Sequence, residues 1–300
     1  KIFSALPFGN EIFSKAEGVY MFTSSGKKIL DFTGGLGVLG LGHNHPDILK
    51  ARLDFQKNKR VEVHKIIFSK YMAVLSNNLS YLLPSNLKKS FFLNSGAEAV
   101  EAAIKVCFKS YTKKRKFIFH SDRSYHGKLI GSGSISGSYF KENQFPVMEN
   151  CVSYKFNNIT DLENKIINHN SKGGIYSVII EPFSASTLEA VSNDFMDKLF
   201  LLRDKYGFRI IFDEVFTGFY KSEKMFYFQN FKNKCPDVLC LSKTLGGGKS
   251  SISSLIVDED IYNKAYNKIN DTFLHTTTYN GFGEESITAI AALNIISEKK

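Results

Sequence analysis

Short apolar runs alternate with helical patterns through most of this chain, and that alternation restricts its fold more than any other feature. Ser90–Leu93, Lys116–His120, Tyr176–Glu181, Arg209–Phe212 and Val238–Leu241 read as strands, and helices are expected from Glu98 to about Tyr111 and from Asp194 to about Tyr206. Strands separated by helices assemble as a mainly parallel sheet with helices on its faces. Ahead of them lies an irregular segment, Lys1 to about Lys70. It holds an expected hairpin, Val19–Phe22 with Lys28–Phe32 about Ser24-Ser25-Gly26, and a glycine-rich passage ending in Gly42-His43-Asn44-His45-Pro46. A further helical pattern runs from Glu284 to Lys300, the last residue, and the first residue is lysine rather than methionine; both are expected of a fragment.

Composition narrows the function classes. The 300 residues are 43% hydrophobic, enough for a substantial core. No apolar run approaches the ~18 residues of a membrane span, and no signal-peptide order opens the chain, so a cytoplasmic protein without membrane partners is expected. The net charge of +10 comes from 39 basic and 29 acidic residues. The basic residues are scattered lysines with one dense cluster, Lys113-Lys114-Arg115-Lys116, which argues against a nucleic-acid partner. Four cysteines without CxxC spacing are expected to be reduced and structural. His43 and His45 have no third ligand near them in sequence, so the expectation there is a turn and no metal.

In parallel sheets ligands sit beyond the carboxyl ends of the strands, and the residues that follow these runs are polar or small. Asn94-Ser95-Gly96-Ala97 joins a strand to a helix, and its backbone N–H groups can take a phosphate or simply form an N-cap. Asp213 ends an apolar strand and needs a cationic partner, either a protonated ring nitrogen or a nearby Lys or Arg. Lys243 follows Val238–Leu241 and precedes Thr244-Leu245-Gly246-Gly247-Gly248, where backbone can approach a ligand; an amine in such a cleft tends to lose its proton and attack an aldehyde. Tyr125 offers an aromatic face or is a core tyrosine, and His126 is a proton carrier or a loop histidine.

In order, Asn94–Ala99 (NSGAEA), Tyr125-His126-Gly127, Glu181-Pro182, Asp213–Phe219 (DEVFTGF), Pro236–Gly248 (PDVLCLSKTLGGG) and His275–Tyr279 (HTTTY) resemble the class III aminotransferases. Gly34-Gly35-Leu36-Gly37 through Pro46 and the stretch Phe226–Thr278 are most similar to the putrescine and ornithine branch. The resemblance implies the type I fold of pyridoxal-phosphate enzymes: a mainly parallel sheet of the seven-stranded type with helices on both faces, plus a small N-terminal segment. Residues 1–70 would be that segment and 71–300 the large domain, with the family's C-terminal small domain absent before Lys300.

The resemblance also implies roles. Lys243 would hold pyridoxal 5′-phosphate as a Schiff base and shuttle the substrate proton. Asp213 would pair with the pyridine nitrogen, Tyr125 would stack on the ring with His126 beside it, and Glu181 would lie in the network below. Ser95, Gly96 and Ala97 would hold the phosphate, with Thr278 reaching the phosphate of a neighbouring subunit, so a homodimer with shared sites is expected. Lys128 and Leu36 are the substrate-side candidates, Lys128 for an acceptor carboxylate. Two departures stand out. Phe216 replaces a family glutamine that donates a hydrogen bond, and Phe183-Ser184-Ala185-Ser186-Thr187 replaces a Gln-Gly-Glu/Asp-Gly-Gly run. The expected activity is transfer of an amino group from a primary amine or ω-amino acid, polyamine or ornithine-like, to a 2-oxo acid or aldehyde. An aminomutase on the same fold and a non-catalytic cofactor-binding module are the alternatives.

Overall fold

The computed structural model describes residues 11–67, 69–137, 142 and 144–298. Residues 1–10 and 68 of the expected N-terminal segment, and 299–300 of the expected last helix, lie outside that range.

Two sheets form. The small one is an antiparallel meander of β1 (Phe13–Glu17), β2 (Tyr20–Thr23) and β3 (Lys28–Leu30), so the expected hairpin gains a strand on its N-terminal side. The His43 turn is tied to it by a pair of backbone hydrogen bonds with Gly18 (3.0 and 2.7 Å), and His43 Nε2 lies 2.9 Å from Asp31 Oδ2.

The large sheet has seven strands: β4 (Leu87–Leu93), β5 (Phe117–Ser121), β6 (Cys151–Tyr154), β7 (Ile175–Ile180), β8 (Arg209–Asp213), β9 (Val238–Leu241) and β10 (Ser253–Asp258). Their spatial order is β4-β10-β9-β8-β7-β5-β6. β10 runs antiparallel to both neighbours, while β9, β8, β7, β5 and β6 pair in parallel. All six residues of β7 are buried, as a strand covered on both faces requires. Alternation then divides the core. Ile179, Ile211, Val238 and Cys240 face one side, with Ala99, Ala102, Ala103 and Val106 of the helix Gly96–Lys109. Val178, Ile180, Ile210, Phe212 and Leu239 face the other, with side chains from the helices Lys70–Leu82, Ile159–Asn170, Asn193–Tyr206 and Glu284–Glu298.

Parallel pairing brings the carboxyl ends of β5, β7, β8 and β9 to one edge. β4, two antiparallel steps from β9, ends at the same edge. The helix Pro46–Lys57 packs against the helix Glu284–Glu298 through Ile48, Ala292 and Ile295. Among the described residues no helix is long and apolar enough to cross a membrane.

Candidate active site

After β4 the chain turns through Asn94 into a helix capped by Ser95, whose hydroxyl accepts from the Glu98 N–H at 3.3 Å. The Glu98 carboxylate accepts from the Asn94 and Ser95 N–H groups in return (2.9 and 2.8 Å), completing a capping box. The Ser95 hydroxyl therefore serves the cap. Gly96 and Ala97 open the helix, where backbone N–H groups have no intrahelical acceptor and the dipole is positive, and both line the cavity at the strand ends.

The loop after β5 is held by side chains from other strands. Glu181, just beyond β7, accepts from Tyr125 N–H at 2.7 Å and Ala185 N–H at 3.0 Å. Burial raises the Glu181 carboxyl above its ordinary range, with His126 pulling the other way. Ser136 Oγ accepts from His126 N–H at 2.7 Å. The buried His126 ring places Nδ1 2.8 Å from Asp213 Oδ2, and Asp213 Oδ1 accepts from Val215 N–H at 3.0 Å. His126 Nε2 is buried without a hydrogen-bond partner among the described residues. Gly127 lets this loop lie against the helix N-terminus: its φ is +120°, and a Cβ there would stand 2.6 Å from Ala97 Cβ.

Lys243 starts a short 3-10 turn directly after β9 and Ser242, with a left-handed φ of +51°, a costly conformation for a residue with a Cβ. Its Nζ lies 4.7 Å from the centre of the Phe216 ring. Burial holds the Lys243 amine below the ordinary lysine range, against the opposing pull of Asp213 and Glu181. A depressed pKa raises the fraction of free amine, the nucleophilic form.

A cavity of about 370 Å³ collects these groups. Of the residues expected at the site, Gly96, Ala97, Lys128, Tyr125, His126, Glu181, Asp213, Phe216 and Lys243 line it. Ser95, Leu36 and Thr278 do not. Leu36 is 72% exposed, and Thr278 is exposed next to Thr277, whose hydroxyl accepts from Asn94 Nδ2 at 3.1 Å. Val215, Ser242, Leu129 and Ala185 also line the cavity and were not singled out from sequence. Val215 and Ser242 were within reach, since each lies one or two residues past a strand end already marked.

The donor set suits a phosphorylated pyridine aldehyde: a half-buried amine, a buried carboxylate, helix N-terminal amides and an aromatic side chain open onto one space. The cavity volume falls in the ~300–1,000 Å³ range of small-molecule pockets. His126, whose buried Nε2 has no hydrogen-bond partner among the described residues, also lines this cavity.

Residues 8–300 match the sequence model of the family described as aminotransferase class-III. Among solved structures, the chain is similar to adenosylmethionine-8-amino-7-oxononanoate aminotransferase from Methanocaldococcus jannaschii, with 26% identity and a TM-score of 0.88 over 97% of this chain and 70% of that one. It has the fold of taurine:2-oxoglutarate aminotransferase from Bifidobacterium kashiwanohense, solved with pyridoxal phosphate and glutamate (24% identity, TM-score 0.89, 99% and 71% covered). It also has that of ornithine aminotransferase from Toxoplasma gondii (19% identity, TM-score 0.87, 99% and 69% covered).

Proposed function

This chain belongs to the class III aminotransferases and is a pyridoxal 5′-phosphate-dependent transaminase, and we propose that it moves an amino group from a primary amine or ω-amino acid, polyamine or ornithine-like, to a 2-oxo acid or aldehyde. The observation that carries this reading is the placement of the half-buried Lys243 amine and the buried Asp213 carboxylate around one cavity.

When bound, pyridoxal phosphate supplies an electron sink for the bond broken at the substrate carbon. The protein's residues do the rest. Lys243 Nζ would hold the cofactor through its aldehyde carbon and would serve as the base that carries a proton to and from the substrate carbon. Asp213 would hold a proton on the cofactor's ring nitrogen, and His126 orients Asp213 through the 2.8 Å contact. Glu181 fixes the backbone of Tyr125, whose ring would lie against the cofactor. The Gly96 and Ala97 N–H groups would take the cofactor's phosphate. Phe216 forms an apolar wall that donates no hydrogen bond, and Lys128 stands exposed at the cavity for a substrate carboxylate. Thr278, outside its own chain's cavity, would reach the phosphate held by a second copy, which makes the working unit a homodimer.

The test is an absorption spectrum of the purified protein with pyridoxal phosphate, before and after borohydride, beside Lys243→Ala. The expected result is a band that borohydride fixes covalently in the wild type and that the variant cannot form. A folded wild type without such a band would replace the transaminase reading with that of a non-catalytic module.

A further inference from the structure

Lys221 is a half-buried cation for which no carboxylate partner stands within ion-pair distance among the described residues. Its Nζ donates to Thr244 Oγ1 at 2.7 Å, and Thr244, the residue after Lys243, in turn donates to the Gly37 carbonyl at 3.3 Å. One contact leaves two of the three ammonium protons for other acceptors. The surroundings are built close. A Cβ on Gly40 would stand 3.0 Å from Lys221 Nζ, and a Cβ on Gly37 would meet Phe216 Cε2 at 3.0 Å and Lys221 Cε at 3.6 Å. Lys221 and Phe216 therefore flank one point on the glycine-rich passage, while Lys243 approaches the same Phe216 ring.

Resting on the transaminase reading above, we propose that Lys221 is a specificity-determining residue: it receives the carboxylate at the end of the substrate remote from the reacting carbon, beside the Phe216 ring. Burial, and next the charge of Lys243, hold the Lys221 ammonium below its ordinary range, a condition that a bound anion relieves. The Phe216 wall gives the methylene chain of an ω-amino acid an apolar path between the two amines. A substrate of this class fits better than a diamine, whose second ammonium would be repelled by Lys221.

The experiment uses the pyridoxal-phosphate-loaded protein with two donors of equal carbon count, 4-aminobutyrate and 1-aminobutane. It compares kcat/KM for each in the wild type, Lys221→Met and Lys221→Arg. The expected result is a wild-type preference for 4-aminobutyrate that falls about tenfold to a hundredfold in Lys221→Met, chiefly through KM, and returns in Lys221→Arg. Because the readout is a ratio within one preparation, partial loss of folded protein cancels. A ratio that stays put while both donors slow together means that Lys221 only ties Thr244 to the glycine passage, and overturns the proposal. A wild type that prefers 1-aminobutane overturns it too. Failure of the transaminase reading is separate: it shows in the wild type, as no borohydride-fixed band and no turnover of either donor.

Discussion

His126 Nδ1 and Asp213 Oδ2 meet at 2.8 Å with both side chains buried, joining the loop after β5 to the end of β8. Replacing Asp213 leaves the buried His126 ring without its Nδ1 partner, and replacing His126 leaves Asp213 with the Val215 N–H. Asp213→Asn should fold yet lose ~10²-fold or more in turnover, since an amide cannot hold a proton on the cofactor nitrogen. In a double-mutant cycle with His126→Asn, steady-state rates should show a coupling of about 0.5–3 kcal/mol. Additive losses would mean that His126 does not act through Asp213.

Glu214 is fully buried next to Asp213, accepting from the N–H groups of Tyr227 and Phe228 (2.7 Å each) and the Thr217 hydroxyl (3.1 Å). It thereby shapes the 217–228 segment, which follows Phe216 and carries Lys221. Burial pushes its carboxyl up to about 7 from an ordinary 4.5, against the hydrogen bonds it accepts. A raised carboxyl pKa favours the protonated form in the fold, so this group's contribution to stability is complete below about pH 4.5 and lost as the pH rises through about 7. Thermal melts between pH 4.5 and 8 should show a downward slope in wild-type Tm that is shallower in Glu214→Gln. Equal slopes would remove Glu214 as its source.

Gly127→Ala would drive a methyl group into Ala97 at the helix N-terminus. Overpacking of this kind costs about 1–3 kcal/mol, and here it also displaces an amide assigned to the phosphate. Denaturant unfolding should report the loss, and titration with pyridoxal phosphate should report weaker binding. Normal affinity in a destabilised variant would place the phosphate elsewhere.

Phe216 holds the Lys243 amine over its ring at 4.7 Å, which favours the ammonium by about 0.5–1 kcal/mol. Phe216→Leu removes that stabilisation and should move the Lys243 pKa further down. The pH dependence of cofactor capture by the apoprotein should rise at correspondingly lower pH. A shift upward would show that Phe216 acts by desolvation instead.

The strands were legible where both faces are buried. β7, β8 and β9 read as apolar runs, and the residues just past them, Glu181, Asp213 and Lys243, lie around the cavity. β4 begins at Leu87, three residues before its expected start, because it is an edge strand and tolerates Lys88 and Lys89. None of the expected strands covers β10. It opens with Ser253 and Ser254, both fully buried, so its first residues carry no apolar signal, yet Ser253 Oγ donates to the Ser95 carbonyl at 2.8 Å and braces the turn before Gly96.

Sequence alone determined which side chains stand at strand ends and that the turn Asn94–Ala97 leads into a helix, which starts at Gly96, two residues before its expected start. Those features follow from alternation, capping and chain direction, all set within a few residues. Only the tertiary structure decided that His126 meets Asp213, that Glu181 takes the Tyr125 N–H, and that Lys221 reaches Thr244 while Thr244 reaches Gly37. Such contacts depend on the order and direction of strands in the sheet, which long-range pairing selects and local pattern does not encode.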